Sequence, residues 1–320
     1  MEPGACRLEP VRDGWSANEL VKLRQSLADL YGLDSPRRRS CRPPDPGGRV
    51  VSNVRRTIAI AAACLTLTAL VGGSGTQASA IARDARWRPL FDGKTLEGWL
   101  PKIKGYPIGD NFGNSFSVGN GTIRVGYDGY GGVYADRPGF LVTKESFGAF
   151  HLRLQYRMVP GAGLPDAQEA LRSNSGVLYF VQSPDTLKPA QGMPVGLELQ
   201  LLGDVGEGPR PTGSICIPKG VFARVFTTRM TNHCIFSTGP TIPNGQWTKV
   251  DLIVRPDGSS EHRINGRTVM RVVDPQRDPL DPYAAPLVQK DGVQLRKGHI
   301  ALQSEGHGIE FKNIEIKPYD

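Results

Sequence analysis

Carboxylate and amide side chains that suit acid–base chemistry occur on a strand-like segment of this 320-residue chain. In residues 197–201, Leu-Glu-Leu-Gln-Leu, apolar and polar residues alternate, so Glu198 and Gln200 share the face opposite the leucines. Hydrolysis of an ordinary glycosidic bond uses two carboxyl groups, and Leu202 occupies the next position on that face. The pattern makes Glu198 a candidate general base beside Gln200, and it disfavours direct retaining hydrolysis from this strand alone.

Further polar candidates lie on other predicted strands. Residues 150–158 alternate strictly, which places Gln155 and Arg157 on one polar face. If this face and that of Glu198 line one concave sheet, they form a groove of sugar size. The spacing therefore predicts Gln155 and Arg157 as substrate contacts, with a Glu198–Arg157 ion pair as an alternative.

Two acid–base candidates follow a strand that ends at Gln303. Glu305 and His307 lie where a loop would overhang the edge of the groove, and both are candidate catalytic groups. Gln303 and Asn174 carry amides that suit sugar hydroxyls. An exposed turn histidine is the alternative for His307, and a simple turn before a strand is the alternative for Asn174.

The elements that must position these residues are strands. The chain holds 39 glycines and 26 prolines, a bias that favours short strands joined by tight turns. Asn265-Gly266 separates two strand-like runs and predicts a hairpin. We expect an all-β fold, two packed antiparallel sheets, with irregular loops over residues 102–134, 160–173 and 204–233.

The net charge of +8 is unevenly distributed. Residues 1–80 carry 11 Lys and Arg against 7 Asp and Glu, whereas residues 81–320 carry 28 against 24. No basic stripe interleaved with aromatic residues is present in the later part. A nucleic-acid partner is therefore not expected.

A secretory signal is predicted at residues 54–80. Arg55 and Arg56 precede an apolar run over residues 58–71, and a small-x-small motif ends at Ala80. The run is shorter than the roughly 20 residues that a membrane span needs, although an uncleaved anchor is the alternative. We therefore expect residues 1–53 to be disordered or non-native, cleavage near Ala80, no stable membrane insertion, and one exported domain over residues 87–320.

The cysteines agree with export. Three of the five precede the predicted cleavage position, which leaves Cys216 and Cys234 in the exported chain. Two cysteines in an oxidising compartment most simply form one structural disulfide. A catalytic thiol is the alternative.

Five sequence blocks resemble the 3-keto-disaccharide hydrolase family, also described as 3-keto-glucoside 1,2-lyases and 2-hydroxyglucal hydratases. They occur in the family's order: LFDGKTLEGW at 90–99, LVTKESFGAFHLRLQYR at 141–157, SNSGVLYF at 173–180, GLELQLLGD at 196–204 and HIALQSEGHGIEFKNIEIKP at 299–318. The resemblance implies a concanavalin A-like jelly-roll sandwich, export, and action on oxidised glycosides made by a sugar-oxidising partner enzyme.

The chemistry that the resemblance implies needs a single base. A ketone at C3 acidifies the hydrogen on C2, so Glu198 as base can form an enolate that expels the group on C1 by β-elimination. Glu305 and His307 are each candidates for an acid, a base or a metal ligand in this reaction, and water can add back to the glucal. Glu198, Glu305 and His307 carry atoms that could bind a divalent metal, although these residues do not form a compact metal-binding motif in the sequence. The alternative functions are a non-catalytic carbohydrate-binding module and a conventional glycosidase with its second carboxylate on another strand.

Overall fold

The computed structural model describes residues 86–167 and 172–319. The predicted signal and N-terminal extension lie outside the described residues. Within them, no helix is both long and apolar enough to span a membrane. In these two described ranges one α-helix, α1, spans Ala285–Asp291, and 3-10 helices span Phe112–Asn114, Asp128–Tyr130 and Pro184–Thr186.

Seventeen strands are present in the described part of the chain. In chain order they are β1 (Arg88–Pro89), β2 (Trp99–Ile103), β3 (Phe116–Gly119), β4 (Thr122–Val125), β5 (Gly139–Thr143), β6 (Phe150–Gly163), β7 (Asn174–Val181), β8 (Gly196–Leu202), β9 (Ser214–Lys219), β10 (Val221–Val225), β11 (Thr228–Arg229), β12 (Cys234–Ile235), β13 (Thr248–Val254), β14 (Ser260–Ile264), β15 (Arg267–Arg277), β16 (His299–Ser304) and β17 (His307–Pro318).

The strands form two antiparallel sheets, as the sequence predicts. The larger sheet has the order β11-β10-β15-β14-β13-β6-β17-β4-β3, with β1 paired to β17. The smaller sheet has the order β12-β9-β8-β7-β16-β5-β2. The jelly-roll-type sandwich expected from the sequence is therefore confirmed.

Alternating apolar residues of both sheets form the core. Leu152, Leu154 and Tyr156 of β6 and Leu197 and Leu199 of β8 are each at most 3% exposed and belong to one cluster. Since side chains alternate along a strand, Glu198 and Gln200 must lie on the outer face of the seven-stranded sheet.

All three predicted irregular loops contain strand residues. The β3–β4 hairpin lies within residues 102–134, β6 continues to Gly163 within residues 160–173, and β9 to β11 lie within residues 204–233. The turn of the first hairpin is Asn120-Gly121, and both residues have positive φ. The same dipeptide chemistry correctly predicted the Asn265-Gly266 turn between β14 and β15.

Residues 182–195, which connect β7 to β8, fold back over the outer face of the seven-stranded sheet. Leu187 packs against Phe140, Val142, Leu178 and Ala301, a small apolar cluster separate from the main core. The connection thus covers one part of this face and leaves the part around Glu198 as a distinct region.

Lys102 of β2 holds this connection in place. The ammonium group is fully buried and donates to the backbone carbonyls of Ile103 at 2.8 Å and of Pro189 and Gln191 at 3.0 Å each. Burial lowers the pKa of Lys102 to about 8. All three ammonium donors are therefore used within the protein.

Replacing Lys102 by methionine is expected to lower the free energy of unfolding by about 1–3 kcal/mol, because three buried carbonyls lose their donor. Urea denaturation at pH 7 measures this. Lys104→Met is the matched control, since Lys104 pairs with Asp136 at the surface and such pairs contribute about 0–1 kcal/mol. Equal effects of the two substitutions would contradict the assigned role of Lys102.

Candidate active site

Strand β8 places Glu198 on the outer face of the seven-stranded sheet. Glu198 pairs with Leu178 of β7 on one side and with Cys216 of β9 on the other. The residue is only 3% exposed, and its Oε1 atom is buried without a hydrogen-bond partner. A buried carboxyl group in this state is costly unless it is protonated or meets a ligand.

Gly176 leaves the space that the Glu198 carboxyl group occupies. It pairs with Gln200 on β8, one alternate position along from Glu198. A Cβ atom at Gly176 would lie 2.4 Å from Glu198 Oε1 and 2.9 Å from its Cδ. Glycine is therefore required at position 176 for the carboxyl group to take this position.

Glu305 lies in the turn between β16 and β17 and approaches the same region. The Asn174 Nδ2 atom donates to Glu305 Oε2 at 2.9 Å, and the Gln200 Nε2 atom donates to Asn174 Oδ1 at 3.4 Å. A relay of two amides thus runs from β8 through β7 to the Glu305 carboxyl group and orients it.

The two carboxyl groups interact electrostatically. Burial raises the pKa of Glu198 well above its usual range, the charge of Glu305 acts in the same direction, and the Gln303 side chain partly opposes both. Burial raises the pKa of Glu305 from 4.5 to about 7. Near neutral pH Glu305 is therefore partly ionised, and burial favours the protonated form of Glu198.

Two tyrosines enclose the Glu305 side. The Tyr127 hydroxyl accepts from the Gly306 backbone N–H at 2.7 Å and lies 2.9 Å from Ser304 Oγ. The Tyr134 ring packs edge-on against Tyr127, with centroids 6.1 Å apart. Tyr134 is 3% exposed and its hydroxyl has no hydrogen-bond partner. Burial raises the pKa of Tyr134, so the hydroxyl stays protonated and can donate.

Buried polar atoms without a hydrogen-bond partner occur in Glu198 and in two residues that interact with the carboxyl pair, Tyr134 and Gln303. Within residues 86–167 and 172–319 there are four such side-chain atoms: Tyr134 Oη, Glu198 Oε1, Asn244 Oδ1 and Gln303 Oε1. Most buried polar groups in native proteins are hydrogen-bonded, so these atoms call for a partner. Sugar hydroxyl groups, which donate and accept, suit this set.

His307 lies two residues after Glu305, and its ring interacts electrostatically with Arg210. The His307 Nε2 atom donates to the Val159 carbonyl at 3.1 Å, because a carbonyl can only accept. Burial lowers the pKa of His307, and the charge of Arg210 acts in the same direction. The ring is therefore neutral near pH 7, and its role as catalytic acid stays a prediction. The Arg210 guanidinium itself is held by the carbonyls of Arg172, Ser173 and Gly203.

The predicted groove shared by Glu198, Gln155 and Arg157 is wrong. Gln155 and Arg157 lie on β6 of the ten-stranded sheet, whereas Glu198 lies on β8 of the other sheet. Arg157 donates to Glu310 at 2.6 Å and covers the Trp247 ring at 4.8 Å, on the outer face of its own sheet. The alternating pattern correctly predicts which face of β6 and which face of β8 is polar. These two faces point away from each other, because the hydrophobic core lies between the two sheets. Neither the substrate contacts from β6 nor a Glu198–Arg157 ion pair can form.

The predicted disulfide between Cys216 and Cys234 is present, and it joins β9 to β12. It borders the site, because Cys216 Sγ lies 3.3 Å from Gln200 Oε1. In the described part of the chain, one group of three potential metal ligands converges. It consists of a ring nitrogen of His233 and the sulfur atoms of Cys216 and Cys234. Both sulfurs are used in the disulfide and are not thiolate ligands. A metal on Glu198, Glu305 and His307 stays a prediction.

The sequence matches the 3-keto-alpha-glucoside-1,2-lyase-like domain family over residues 86–317. The chain belongs to this family. A 3-keto-disaccharide hydrolase from Bacteroides thetaiotaomicron is 22% identical over 255 residues, which cover 72% of this chain and 78% of that protein. The resemblance seen in the five sequence blocks is confirmed, and it supports a carbohydrate-acting protein.

The solved structures to which this chain is similar have low sequence identity to it. A Parabacteroides distasonis protein designated a candidate glycosyl hydrolase is 20% identical with a TM-score of 0.42, covering 73% of this chain and 94% of that one. A Bacillus subtilis protein of galectin-like fold is 11% identical with a TM-score of 0.44, at the same two coverages.

Sequence reasoning missed two tyrosines at the site of this 3-keto-alpha-glucoside-1,2-lyase-like domain. Tyr127 and Tyr134 lie in a Gly-rich segment without periodicity. The only available signal was the pairing of aromatic residues with Gly, Asn and Asp on loops. That signal favours sugar contact in general but does not single out a residue.

The raised pKa of Glu305 predicts a pH dependence of stability. The folded state binds its proton more tightly than the unfolded state, so stability is fully present below about pH 4.5 and falls as the pH rises to about 7. The change amounts to roughly 3 kcal/mol. We expect the Glu305→Gln variant to lack this pH dependence. The free energy of unfolding of the wild type minus that of the variant should therefore fall between about pH 4.5 and 7. A pH-independent difference in urea titrations would contradict the assignment.

Proposed function

We propose that this domain cleaves 3-keto-glycosides by removal of the C2 proton and β-elimination of the C1 substituent. The observation that carries the proposal is the approach of Glu305 to the buried Glu198, two carboxyl groups whose pKa values burial raises. C1 and C2 are adjacent atoms, so this elimination needs its base and its acid side by side. A carboxyl pair in which one member is ionised and the other protonated supplies both.

The assignment of roles follows from burial, which favours the protonated form of a carboxyl group. Glu305, partly exposed and with a pKa of about 7, is the base, and Glu198, only 3% exposed, is the acid. The Glu305 carboxylate takes the C2 proton, and the electron pair of the C–H bond forms the enolate of the ketone. The enolate then re-forms the ketone with a C1=C2 double bond and expels the C1 oxygen, which takes the Glu198 proton.

Enolate formation places negative charge on the ketone oxygen, which needs a hydrogen-bond donor. The Tyr134 hydroxyl can supply this hydrogen bond, because it has no other partner in the structure. Its electrostatic interaction with Glu305 places it near the base. Addition of water across the C1=C2 bond of the glucal then gives the free 3-keto sugar. The sum of elimination and hydration is hydrolysis.

A conventional glycosidase is the second candidate, and one observation favours it. Glu305 supplies the second carboxyl group that β8 lacks, and two carboxyl groups are the minimum for hydrolysis of an ordinary glycoside. This mechanism leaves the C2 hydrogen in place, which separates it from elimination.

The test compares a glycoside with its chemically 3-oxidised form, using the purified full chain. We expect cleavage of the oxidised form only, with deuterium from D2O incorporated at C2 of the product and a slower rate for a C2-deuterated substrate. Cleavage of the unmodified glycoside without exchange would establish the glycosidase. Binding of both forms without cleavage would establish a carbohydrate-binding module.

Export and a partner belong to the same proposal. We propose cleavage near Ala80 and action outside the cytoplasm, which the Cys216–Cys234 disulfide supports because disulfides persist in oxidising compartments. A 3-keto substrate further requires a sugar-oxidising enzyme. N-terminal sequencing of the secreted chain tests the export step, and a mature chain that still carries residues 16–30 would contradict it.

A further inference from the structure

A second cleft lies at the opposite end of β7 and β16 from the carboxyl pair. It has a volume of about 400 Å³ and is bordered by Val181 at the end of β7 and His299 at the start of β16. His299 precedes Glu305 by six residues, which corresponds to about 20 Å along a strand. The apolar cluster under residues 182–195 lies between the two regions. The cleft is therefore distinct from the candidate active site.

Positive charge predominates in the lining of this cleft. Arg277, Lys290, Arg296 and Lys297 border it, against the single lining carboxylate of Asp291. A further carboxylate, Asp185, lies nearby and interacts with Lys290 and His299. Four cations from two separate segments thus converge on one concavity, which concentrates a positive field there.

Arg277 is the least exposed of these cations. Its side chain is 11% exposed, and its Nη1 atom donates to the carbonyls of Gly292 at 2.7 Å and Gln294 at 3.4 Å. Asp291 is 4.0 Å from Nη2, at the limit of an ion pair, and is half exposed. The guanidinium is thus fixed in orientation, while its charge is only weakly compensated by Asp291.

Polar side chains complete the lining. His299 is 8% exposed, and its Nδ1 atom donates to the Thr143 carbonyl at 2.8 Å, which fixes the orientation of the ring. Ser146 also borders the cleft, whereas the Thr186 hydroxyl donates to the Ser183 carbonyl and the Ser183 side chain bonds Asp185. The fixed guanidinium of Arg277 together with the neighbouring cations suits an anion with several oxygen atoms.

We propose that this cleft binds a phosphate, sulfate or carboxylate group carried by a sugar-sized ligand. The charge of the lining selects the anionic group, and the cavity volume accommodates one to two sugar rings. The site is independent of the carboxyl pair and of the reaction proposed there.

Binding is tested by isothermal titration calorimetry on the full chain at low ionic strength, with inorganic phosphate, inorganic sulfate, glucose 6-phosphate, glucuronate and glucose. We expect saturable binding of at least one anion, none of glucose, and weakening by salt. The relative affinities of the phosphate, sulfate and carboxylate probes identify the anionic group.

Charge-matched variants locate the site. Lys290→Gln with Lys297→Gln is expected to weaken anion binding at least tenfold, because both side chains are exposed and border the cleft. Lys94→Gln with Lys249→Gln removes the same charge from exposed positions outside the cleft lining and is expected to have little effect. Glu305→Gln should bind as the wild type does. Equal weakening by both double variants, or absence of saturable binding to the wild type, would overturn the proposal.

Discussion

Replacing Glu305 by glutamine is expected to lower kcat for a 3-keto-glycoside by about 10³-fold, since removal of a general base typically costs 10²- to 10⁴-fold. Glutamine keeps the size of the side chain and can still accept the hydrogen bond from Asn174. The variant therefore loses the proton acceptor while the amide relay is retained. Steady-state assays with a 3-oxidised glycoside measure the effect.

The pH profile gives a second readout of the same prediction. Because Glu305 must be ionised to act as the base, kcat of the wild type is expected to rise through its pKa of about 7. Glu198 must keep its proton, so activity falls again at higher pH. In Glu198→Gln the acid is lost, and we expect the alkaline fall to disappear along with most of the activity for poor leaving groups.

Glu315→Gln is the matched control for both variants. Glu315 lies on β17 of the other sheet and pairs with Arg153 at 2.8 Å, so its substitution removes a carboxylate distant from the site. We expect unchanged kcat and KM in this variant. Retention of more than a tenth of wild-type kcat by Glu305→Gln would remove Glu305 as the base and would return the role to Glu198 alone.

Strand content and facing were accessible from the sequence because they depend on local period. Leu197, Leu199 and Leu201 enter the core, and Glu198 emerges on the outer face, as alternation predicts. The sequence correctly predicts the Asn265-Gly266 turn, whereas it places the equivalent Asn120-Gly121 turn within an irregular loop. Its flanking strands have four residues each, too few to show a clear period.

Assignment of strands to sheets was not accessible in the same way. Gln155 and Glu198 each lie on a polar face, and the sequence does not indicate that these faces belong to different sheets. Sheet order depends on pairing between residues far apart in the chain. Local period contains no information on that pairing, which explains why the groove predicted across β6 and β8 fails.

The acid–base relationship within the site was also hidden. The sequence predicts Glu198 as the base and leaves Glu305 open as acid, base or metal ligand. Burial and mutual repulsion determine which carboxyl group keeps a proton, and both arise only when β8 and the β16–β17 turn come together. The residue types were predictable, and the assignment of roles required the fold.

Gly176→Ala is expected to lower kcat by about 10²-fold while the domain stays folded. The added Cβ atom would lie 2.4 Å from Glu198 Oε1, so the flexible carboxyl end must move away from its position beside Glu305. Displacement of a catalytic group by about 1 Å can cost 10²-fold in rate. Circular dichroism and urea denaturation check that the fold is retained, and kcat measures the displacement.

Gly119→Ala provides the control for the glycine substitution itself. Like Gly176, Gly119 belongs to a strand, where it is the last residue of β3. Gly119 is exposed, and a Cβ atom at this position would meet no other atom within 4 Å. Its activity is expected to match the wild type. If Gly176→Ala acts by moving Glu198, it should cause little further loss in a Glu198→Gln background, a non-additivity that a double-mutant cycle detects. Additive losses would instead show that Gly176 affects activity through the backbone of β7 and not through the carboxyl group.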